Sequence, residues 1–333
     1  MKNNILIIGA GAWGTSIANL IANNKKGTVY LWAYEKEVVD QINTKKINNI
    51  YLPKIKLNKY IKAINNFKNI KADYVFIAVP SQFVYQLIKK YLMHSTKDNS
   101  SSASFIICSK GFDLKKKKLL SEVLAPFCSI SKIAILSGPS FAKLVAEKKP
   151  TAVTLACKNV KTANSIKDLL AHKYFRVYLN TDIIGVQVNG AIKNILAIAA
   201  GIADGLGYGE NARATVISRG LNEIEKISIA MGGKKNTILT LSGIGDILLT
   251  CTSISSRNYS FGFYLGKGIS HKKILKNKST VTEGIENSKA LYLIKKKLKL
   301  DTPILDSVYK VLVKKRPINK IVSELLARPL RNE

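Results

Sequence analysis

Few stretches restrict a fold as tightly as ILIIGAGAWGTSIANLIA, residues 5–22. A β-branched and leucine run that stops at glycine reads as a buried strand, and its alanine- and isoleucine-rich continuation reads as a helix. Between the two, Gly9, Gly11 and Gly14 stand in G-x-G-x-x-G spacing. They provide, in turn, a tight turn, room for a ligand to reach the backbone, and close packing of helix on strand. The first N–H groups of a helix have no intrahelical partner and lie at the positive end of its dipole. A strand–turn–helix of this kind is therefore a cradle for a dinucleotide pyrophosphate.

The same alternation continues through the first half. TVYLWAY (28–34), DYVFIAVP (73–80), SFIICSKG (104–111), IAILSGPS (133–140), TAVTLAC (151–157) and RVYLN (176–180) read as strands separated by helical patterns. That order predicts a mostly parallel, doubly wound sheet. After Asn180 the pattern is helical almost to the end, so the chain reads as α/β. A Rossmann-type dinucleotide-binding domain (1–187) is followed by an all-helical substrate and catalytic domain (188–333). A length of 333 residues suits two cores.

Composition is that of an ordinary globular chain, 47% apolar and 22% charged. The four cysteines, Cys108, Cys128, Cys157 and Cys251, are widely spaced, which points to neither a zinc site nor a disulfide framework and suits a reducing cytoplasm. No metal is expected. The longest apolar run, ILAIAAGIA, falls well short of the roughly 20 residues of a membrane span, so no transmembrane segment is expected. A net charge of +32 would suit a polyanion partner. The lysines are dispersed, however, and runs such as LKKKKLL (114–120) and LIKKKLKL (293–300) read as solvated faces of amphipathic helices. A nucleic-acid partner is not expected; steering of anionic small molecules is.

The end of the second strand, where a residue reads the adenosine ribose, carries Tyr34, Glu35 and Lys36. Glu35 could accept the ribose hydroxyls of NAD; Lys36 could meet the additional phosphate of NADP. The three histidines, His94, His172 and His271, lie in polar or lysine-rich surroundings that argue against a histidine acid or base.

NGAIKNILAIAAG (189–201) places one cation in an apolar helix that begins near Asp182. Val186, Asn189, Gly190, Lys193, Asn194 and Ala197 share a small, polar stripe, with Ile192, Ile195, Leu196 and Ala199 covering the rest. Gly190 leaves a hollow beside Lys193, whose donors Asn189 and Asn194 could fix. Two readings stand on these residues. One is a snorkelling surface lysine. The other is a desolvated amine, its pKa lowered toward neutrality, that protonates the alkoxide left when a hydride reaches a carbonyl. SSRN (255–258) is likewise double: a serine N-cap beside a solvated arginine, or a hydroxyl, guanidinium and amide gripping a phosphate at a helix start.

GAGAWGTSIA, AVPSQ (78–82), SKGF (109–112), LSGPSFA (136–142), NGAIKNILAIAAGI (189–202), GLGYGENARA (205–214), SGIGDILLTCTSISSRNYSFG (242–262) and VTEG (281–284) occur in one order along almost the whole chain. Together they closely resemble bacterial NAD(P)-dependent glycerol-3-phosphate dehydrogenases. The resemblance implies NADH- or NADPH-dependent reduction of dihydroxyacetone phosphate to sn-glycerol 3-phosphate for glycerophospholipid synthesis, with Lys193 as general acid/base. It implies cofactor contacts at Gly9, Gly11, Ala12, Trp13, Gly14, Tyr34, Lys110, Ala142, Arg257, Val281 and Glu283. Substrate contacts fall at Lys110, Gly138, Ser140, Lys193, Asp246, Ser256, Arg257 and Asn258. Ala12 stands where the family often has serine, and Tyr34 where it often has histidine or arginine, which weakens the case for a strong NADP preference. A homodimer is compatible with the apolar faces of the helical half. A dehydrogenase of small hydroxy acids is the alternative among enzymes, and a nucleic-acid or membrane-surface protein the alternative outside them.

Overall fold

The computed structural model describes residues 3–94, 103–276 and 282–329. Two compact units make up the chain: Met1–Lys110 with Lys118–Gln187, and Gly111–Lys117 with Val188–Glu333.

In the first unit the elements follow as β1 (Asn3–Ile8), α1 (Ala12–Asn23), β2 (Gly27–Trp32), α2 (Lys36–Asp40), β3 (Ile61–Ile64), β4 (Tyr74–Ile77), α3 (Val84–His94), β5 (Ser104–Ile107), α4 (Leu120–Leu124), β6 (Ile133–Ser137), α5 (Ala142–Ala146), β7 (Thr151–Cys157), α6 (Val160–Leu170) and β8 (Phe175–Asn180). The strands form one sheet in the order β8-β7-β6-β5-β4-β1-β2-β3. From β6 through β3 the ladders are parallel; β7 runs antiparallel to β6 and pairs in parallel with β8.

Period-two alternation sorts side chains into two layers. Ile5 and Ile7 of β1 join one apolar cluster with Ile17, Ile21, Ile166 and Leu169 of α1 and α6. Leu6 and Ile8 join the other with Val84, Ile88, Leu120 and Leu124 of α3 and α4. All four β1 side chains are fully buried. Each contributes up to about 1.5–3 kcal/mol against an extended-chain reference, which is why β1 reads as a continuous apolar run.

One strand goes unannounced and one local expectation fails. Strand β3 is unannounced in the sequence because IKAI is short and carries a lysine, yet its alternation holds, with Ile61 and Ala63 buried and Lys62 exposed. LKKKKLL does not form a helical face: Leu114–Lys117 is a turn. There the Lys116 and Lys117 amides donate to the Asp113 carboxylate and carbonyl at 2.7 and 2.8 Å. Consecutive like charges gain more from a solvated turn than from a helix.

The second unit is helical. Helix α7 (Ile183–Gly205) enters it from the unit boundary, followed by α8 (Gly209–Ala230), α9 (Asp246–Cys251), α10 (Arg257–Gly266), α11 (His271–Lys276), α12 (Thr282–Lys297), α13 (Pro303–Leu312) and α14 (Ile318–Leu326). Helix α7 has the length and apolarity of a membrane span, contrary to the short run seen in sequence, because Asn, Gln and Gly interrupt the string without much lowering its mean hydropathy. That 18-residue window is 89% buried inside the fold, so its apolar surface is already covered.

Helices α7 and α10 touch backbone to backbone. A Cβ on Gly201 would lie 2.1 Å from the Tyr259 carbonyl oxygen, and one on Gly205 2.2 Å from that of Phe263. From the other side, a Cβ on Gly262 would lie 2.2 Å from the Ile198 oxygen and one on Gly266 2.5 Å from that of Ile202. Residue numbers rise together along this contact, so the helices run parallel, and the start of α10 comes level with the residues just after Lys193. Elsewhere in the unit the buried Glu223 carboxylate caps α13, accepting from the Ile304 and Leu305 amides at 2.8 and 3.0 Å. Burial pushes this carboxyl up to about 7 despite those two bonds.

Gly262→Ala must force α7 and α10 apart, so a loss of about 1–3 kcal/mol in unfolding free energy is expected by denaturant titration. The same substitution at Gly207, whose Cβ meets open space, suffers only from its positive φ of +80° and is expected to destabilise by less.

Candidate active site

In the first unit the predicted nucleotide contacts follow the carboxyl ends of β1, β2, β5 and β6, on one edge of a parallel array. In such sheets ligands bind at that edge, where strand order reverses. The order reverses between β1 and β4, and the glycine turn sits there. The Gly9 amide donates to the Trp32 carbonyl at 3.0 Å. Gly9 has φ +114°, and a Cβ on it would lie 2.7 Å from the Ala78 oxygen; one on Gly14 would lie 1.9 Å from the Gly9 oxygen. These two glycines are required by the protein's own packing. Gly11 is not, since nothing lies within 4 Å of the place its Cβ would take.

Helix α1 begins immediately after Gly11 with no side-chain cap and no acidic residue in its first turn. The amides of Ala12, Trp13 and Gly14 therefore stand at an open, positive helix end. Asn48, fully buried, clamps the turn from outside: its amide donates to the Ala10 carbonyl at 2.8 Å and to the Thr15 hydroxyl at 2.9 Å. The Thr15 hydroxyl in turn donates to the same carbonyl at 3.0 Å.

After β2, Tyr34 is 83% exposed. Glu35 accepts a hydrogen bond from the Tyr51 hydroxyl at 2.7 Å. Past β5, the Ser109 hydroxyl donates to the Val79 carbonyl at 2.5 Å, fixing the strand end from which half-buried Lys110 projects. Past β6, Gly138 adopts φ +147° against Val153, and the Ser140 hydroxyl donates to its carbonyl at 3.0 Å. Ser16 of α1 donates to the Ala142 carbonyl at 2.8 Å, tying that loop to the glycine turn's helix.

In the second unit Lys193 is 6% exposed, which excludes the surface reading. Its Nζ donates to Asp246 Oδ1 at 2.5 Å and to the Thr250 hydroxyl at 2.9 Å. Asp246 is 1% exposed, and Thr250, one turn along α9, donates to its carbonyl at 2.6 Å. Helix α9 can begin there because Gly243 breaks the preceding turn with a non-helical backbone, lying where any Cβ would be 2.0 Å from the Ile238 oxygen. Cys251 abuts the pair; burial pushes its thiol up to about 12, with Asp246 raising it and Lys193 opposing.

Asn189 does not fix the lysine as expected from the stripe. Its amide nitrogen donates to the Thr237 carbonyl at 3.2 Å, because α7 is buried on nearly all sides and its polar groups find whichever element lies opposite. Its Oδ1 is buried without a partner among the described residues, and so is Oδ1 of Asn258. A Cβ on Gly284 would lie 2.6 Å from Asn258 Oδ1 and 3.3 Å from the Asn194 oxygen, so Asn258 stands beside α7 one residue beyond Lys193.

Ser256 caps α10, accepting from the Tyr259 amide at 3.3 Å. Arg257 is exposed at the first position of that helix, so the cap and an arginine available to an anion coexist. Glu283 lies in the first turn of α12; Val281 lies outside the described residues. Sequence reasoning missed Thr250, Asn48, Thr15 and Tyr51. Thr250 stands four residues after Asp246 and was findable by helical spacing; the others have no local signature.

Comparison with known proteins places these features in a family. The model of the NAD-dependent glycerol-3-phosphate dehydrogenase N-terminus matches residues 4–163, and that of its C-terminus matches residues 182–323. Glycerol-3-phosphate dehydrogenase [NAD(P)+] of Geobacter sp. (strain M21) is 40% identical over all of this chain and 99% of the relative. The enzyme of that name from Bacillus subtilis is 38% identical over 99% of this chain and 95% of the relative. The crystal structure of glycerol-3-phosphate dehydrogenase from Coxiella burnetii superposes with a TM-score of 0.92 at 36% identity, covering 98% of this chain and 99% of that one.

Gly11→Val separates the fold from the cradle. Its backbone, φ −63° and ψ 178°, suits a β-branched residue. Thermal stability is therefore expected to change by no more than about 0.5 kcal/mol, while dinucleotide affinity measured by calorimetry drops about tenfold or more.

Proposed function

The chain belongs to the NAD-dependent glycerol-3-phosphate dehydrogenase family, and on that premise we propose that Lys193 is the proton donor and acceptor of its reaction. The reaction is the reversible reduction of dihydroxyacetone phosphate to sn-glycerol 3-phosphate with NADH or NADPH. The observation that carries the proposal is the buried Lys193 Nζ held at 2.5 Å by Asp246.

The cradle's residues fit the cofactor: Gly11 is kept small by nothing within the protein, and the α1 amides are left for a pyrophosphate. Gly9, Gly11, Ala12, Trp13 and Gly14 hold that group by backbone. Tyr34, Lys110, Ala142, Arg257 and Glu283 are assigned as further contacts, together with Val281. When bound, the reduced nicotinamide supplies the hydride.

The chain's own residues do the remainder. Lys193 Nζ donates a proton to the C2 oxygen as it gains negative charge, and Asp246 stabilises the ammonium before that transfer. The Thr250 hydroxyl, bonded to Nζ on one side and to the Asp246 carbonyl on the other, fixes the amine's position through both protonation states. Desolvation strengthens each of these interactions. Ser256, Arg257 and Asn258 take the phosphate: the Arg257 fork supplies paired donors, the Ser256 hydroxyl is free to donate while its oxygen caps the helix, and the α10 terminus adds its dipole. Lys110, Gly138 and Ser140 hold the rest of the substrate.

The product's class, a phosphorylated triol, suits glycerophospholipid synthesis. Four free thiols, three of them buried, suit the reducing cytoplasm.

Lys193→Met is expected to lower kcat by roughly 10²–10⁴-fold while nicotinamide-dinucleotide affinity stays within about twofold of the parent. Turnover near the parental value would remove Lys193 from the role. Arg257→Ala is expected to raise KM for dihydroxyacetone phosphate by roughly tenfold or more with little change for unphosphorylated dihydroxyacetone, the pattern of lost ground-state binding.

A further inference from the structure

We infer that Tyr259, pinned by Asp204 and Arg213, sets the register of α10 along α7 and is thereby a positioning residue for the substrate's phosphate; the inference rests on the dehydrogenase reading above.

The need for a pin follows from the helix contact itself. Gly201 and Gly205 on α7, and Gly262 and Gly266 on α10, each repeat after one turn and each face the other helix's backbone. Such a surface is smooth as well as periodic. If α10 slid along α7 by one turn, about 5.4 Å, glycine would again lie against backbone. That slide is comparable with the separation of carbonyl oxygen and phosphate in a three-carbon ketone. It would carry Ser256, Arg257 and Asn258 out of reach of a substrate whose oxygen meets Lys193. Glycine packing lets the helices touch; something directional must fix where.

Tyr259 is 6% exposed and held at three points. Its carbonyl abuts α7 at Gly201, its amide donates to Ser256 Oγ at 3.3 Å, and its hydroxyl donates to Asp204 Oδ2. Asp204 follows Gly201 by three residues, so both lie on one face of α7. The same carboxylate oxygen accepts from Arg213 of α8 at 2.6 Å, and three helices thus meet on one atom. A slide of α10 would break the tyrosine's bond and leave a largely buried carboxylate, its side chain 11% exposed, short of a donor. Burial, and then the bond to Asp204 and its charge, push the Tyr259 hydroxyl up, so it remains a donor at neutral pH. Arg213 balances the carboxylate, which would otherwise set an uncompensated negative charge beside the phosphate grip. Tyr259 acts through its neighbours: its amide occupies an acceptor site of Ser256 and leaves that hydroxyl's proton for a phosphate, and its backbone fixes the adjoining Asn258.

The test is steady-state kinetics of the full-length protein with dihydroxyacetone phosphate and with unphosphorylated dihydroxyacetone, alongside melting temperatures and NADH titrations. Tyr259→Phe keeps the ring and loses the hydroxyl. It is expected to raise KM for dihydroxyacetone phosphate roughly three- to tenfold, while kcat/KM for dihydroxyacetone and NADH affinity stay within about twofold of the parent. Asp204→Ala is expected to do the same, and Asp204→Asn, whose amide oxygen can still accept the tyrosine's bond, to recover part of the loss. A parental KM in Tyr259→Phe would overturn the inference and leave the dehydrogenase reading intact. So would a lowered melting temperature with both substrates affected equally, the mark of a merely structural role. A parent unable to reduce dihydroxyacetone phosphate would overturn both.

Discussion

An ammonium group inside a protein persists only beside a compensating charge, and the contact between Lys193 and Asp246 organises the helical unit. Taking two such ions out of water costs several kcal/mol each. The 2.5 Å approach and the added Thr250 bond offset that expense without turning it into a large net gain. An apolar pair of equal volume would serve stability as well or better. The pair joins the chain's most apolar helix, α7, to the start of α9, and neighbouring features support it. Gly243 breaks the backbone so that α9 can start at Asp246, and the glycine contact of α7 with α10 brings Ser256 and Asn258 level with the residues that follow the lysine.

The nucleotide unit solves a different problem with different means. Its cradle uses backbone groups almost alone, so side chains matter mostly as fixtures: Asn48 and Thr15 hold the Ala10 carbonyl, and Ser16 holds that of Ala142. Against this the overall charge of +32 contributes little to shape. It favours the arrival of anionic small molecules at any face of the protein, while selection among them falls to a few oriented groups.

Elements whose physics is local were legible in the sequence. The glycine spacing announced β1, the turn and α1, because three constraints coincide within six positions; β-branched runs announced most of the sheet. Lys193, Ser256 and Asn258 were legible as oddities, polar groups in apolar or helix-start contexts. Whatever depends on distant partners was not. Glu35 and Lys36 were visible as alternatives, and the hydrogen bond that Glu35 accepts from Tyr51 has no local signature. Asn48 reaches back to Ala10 from a loop with no periodicity, and Asn189, expected beside the lysine, instead serves Thr237 across the helical unit. The lysine run at 115–118 misled for a related reason: composition resembled a solvated helix, while a single aspartate, Asp113, folded it into a turn.

That turn belongs to a segment with an unusual allegiance. Gly111–Lys117 lies between residues of the sheet unit but packs with the helical one, where the Phe112 amide donates to the buried Asn287 side chain at 3.3 Å and Phe112 itself is fully buried. The polypeptide thus changes units three times rather than once. A cut at the 187/188 boundary would not yield two self-sufficient halves: the carboxyl-terminal fragment would lack an aromatic plug from its interior and the backbone amide that donates to Asn287. Evolutionary shuffling of this helical half onto another nucleotide-binding scaffold would have to carry that seven-residue visitor along, which makes the pair of units behave as one inheritable module.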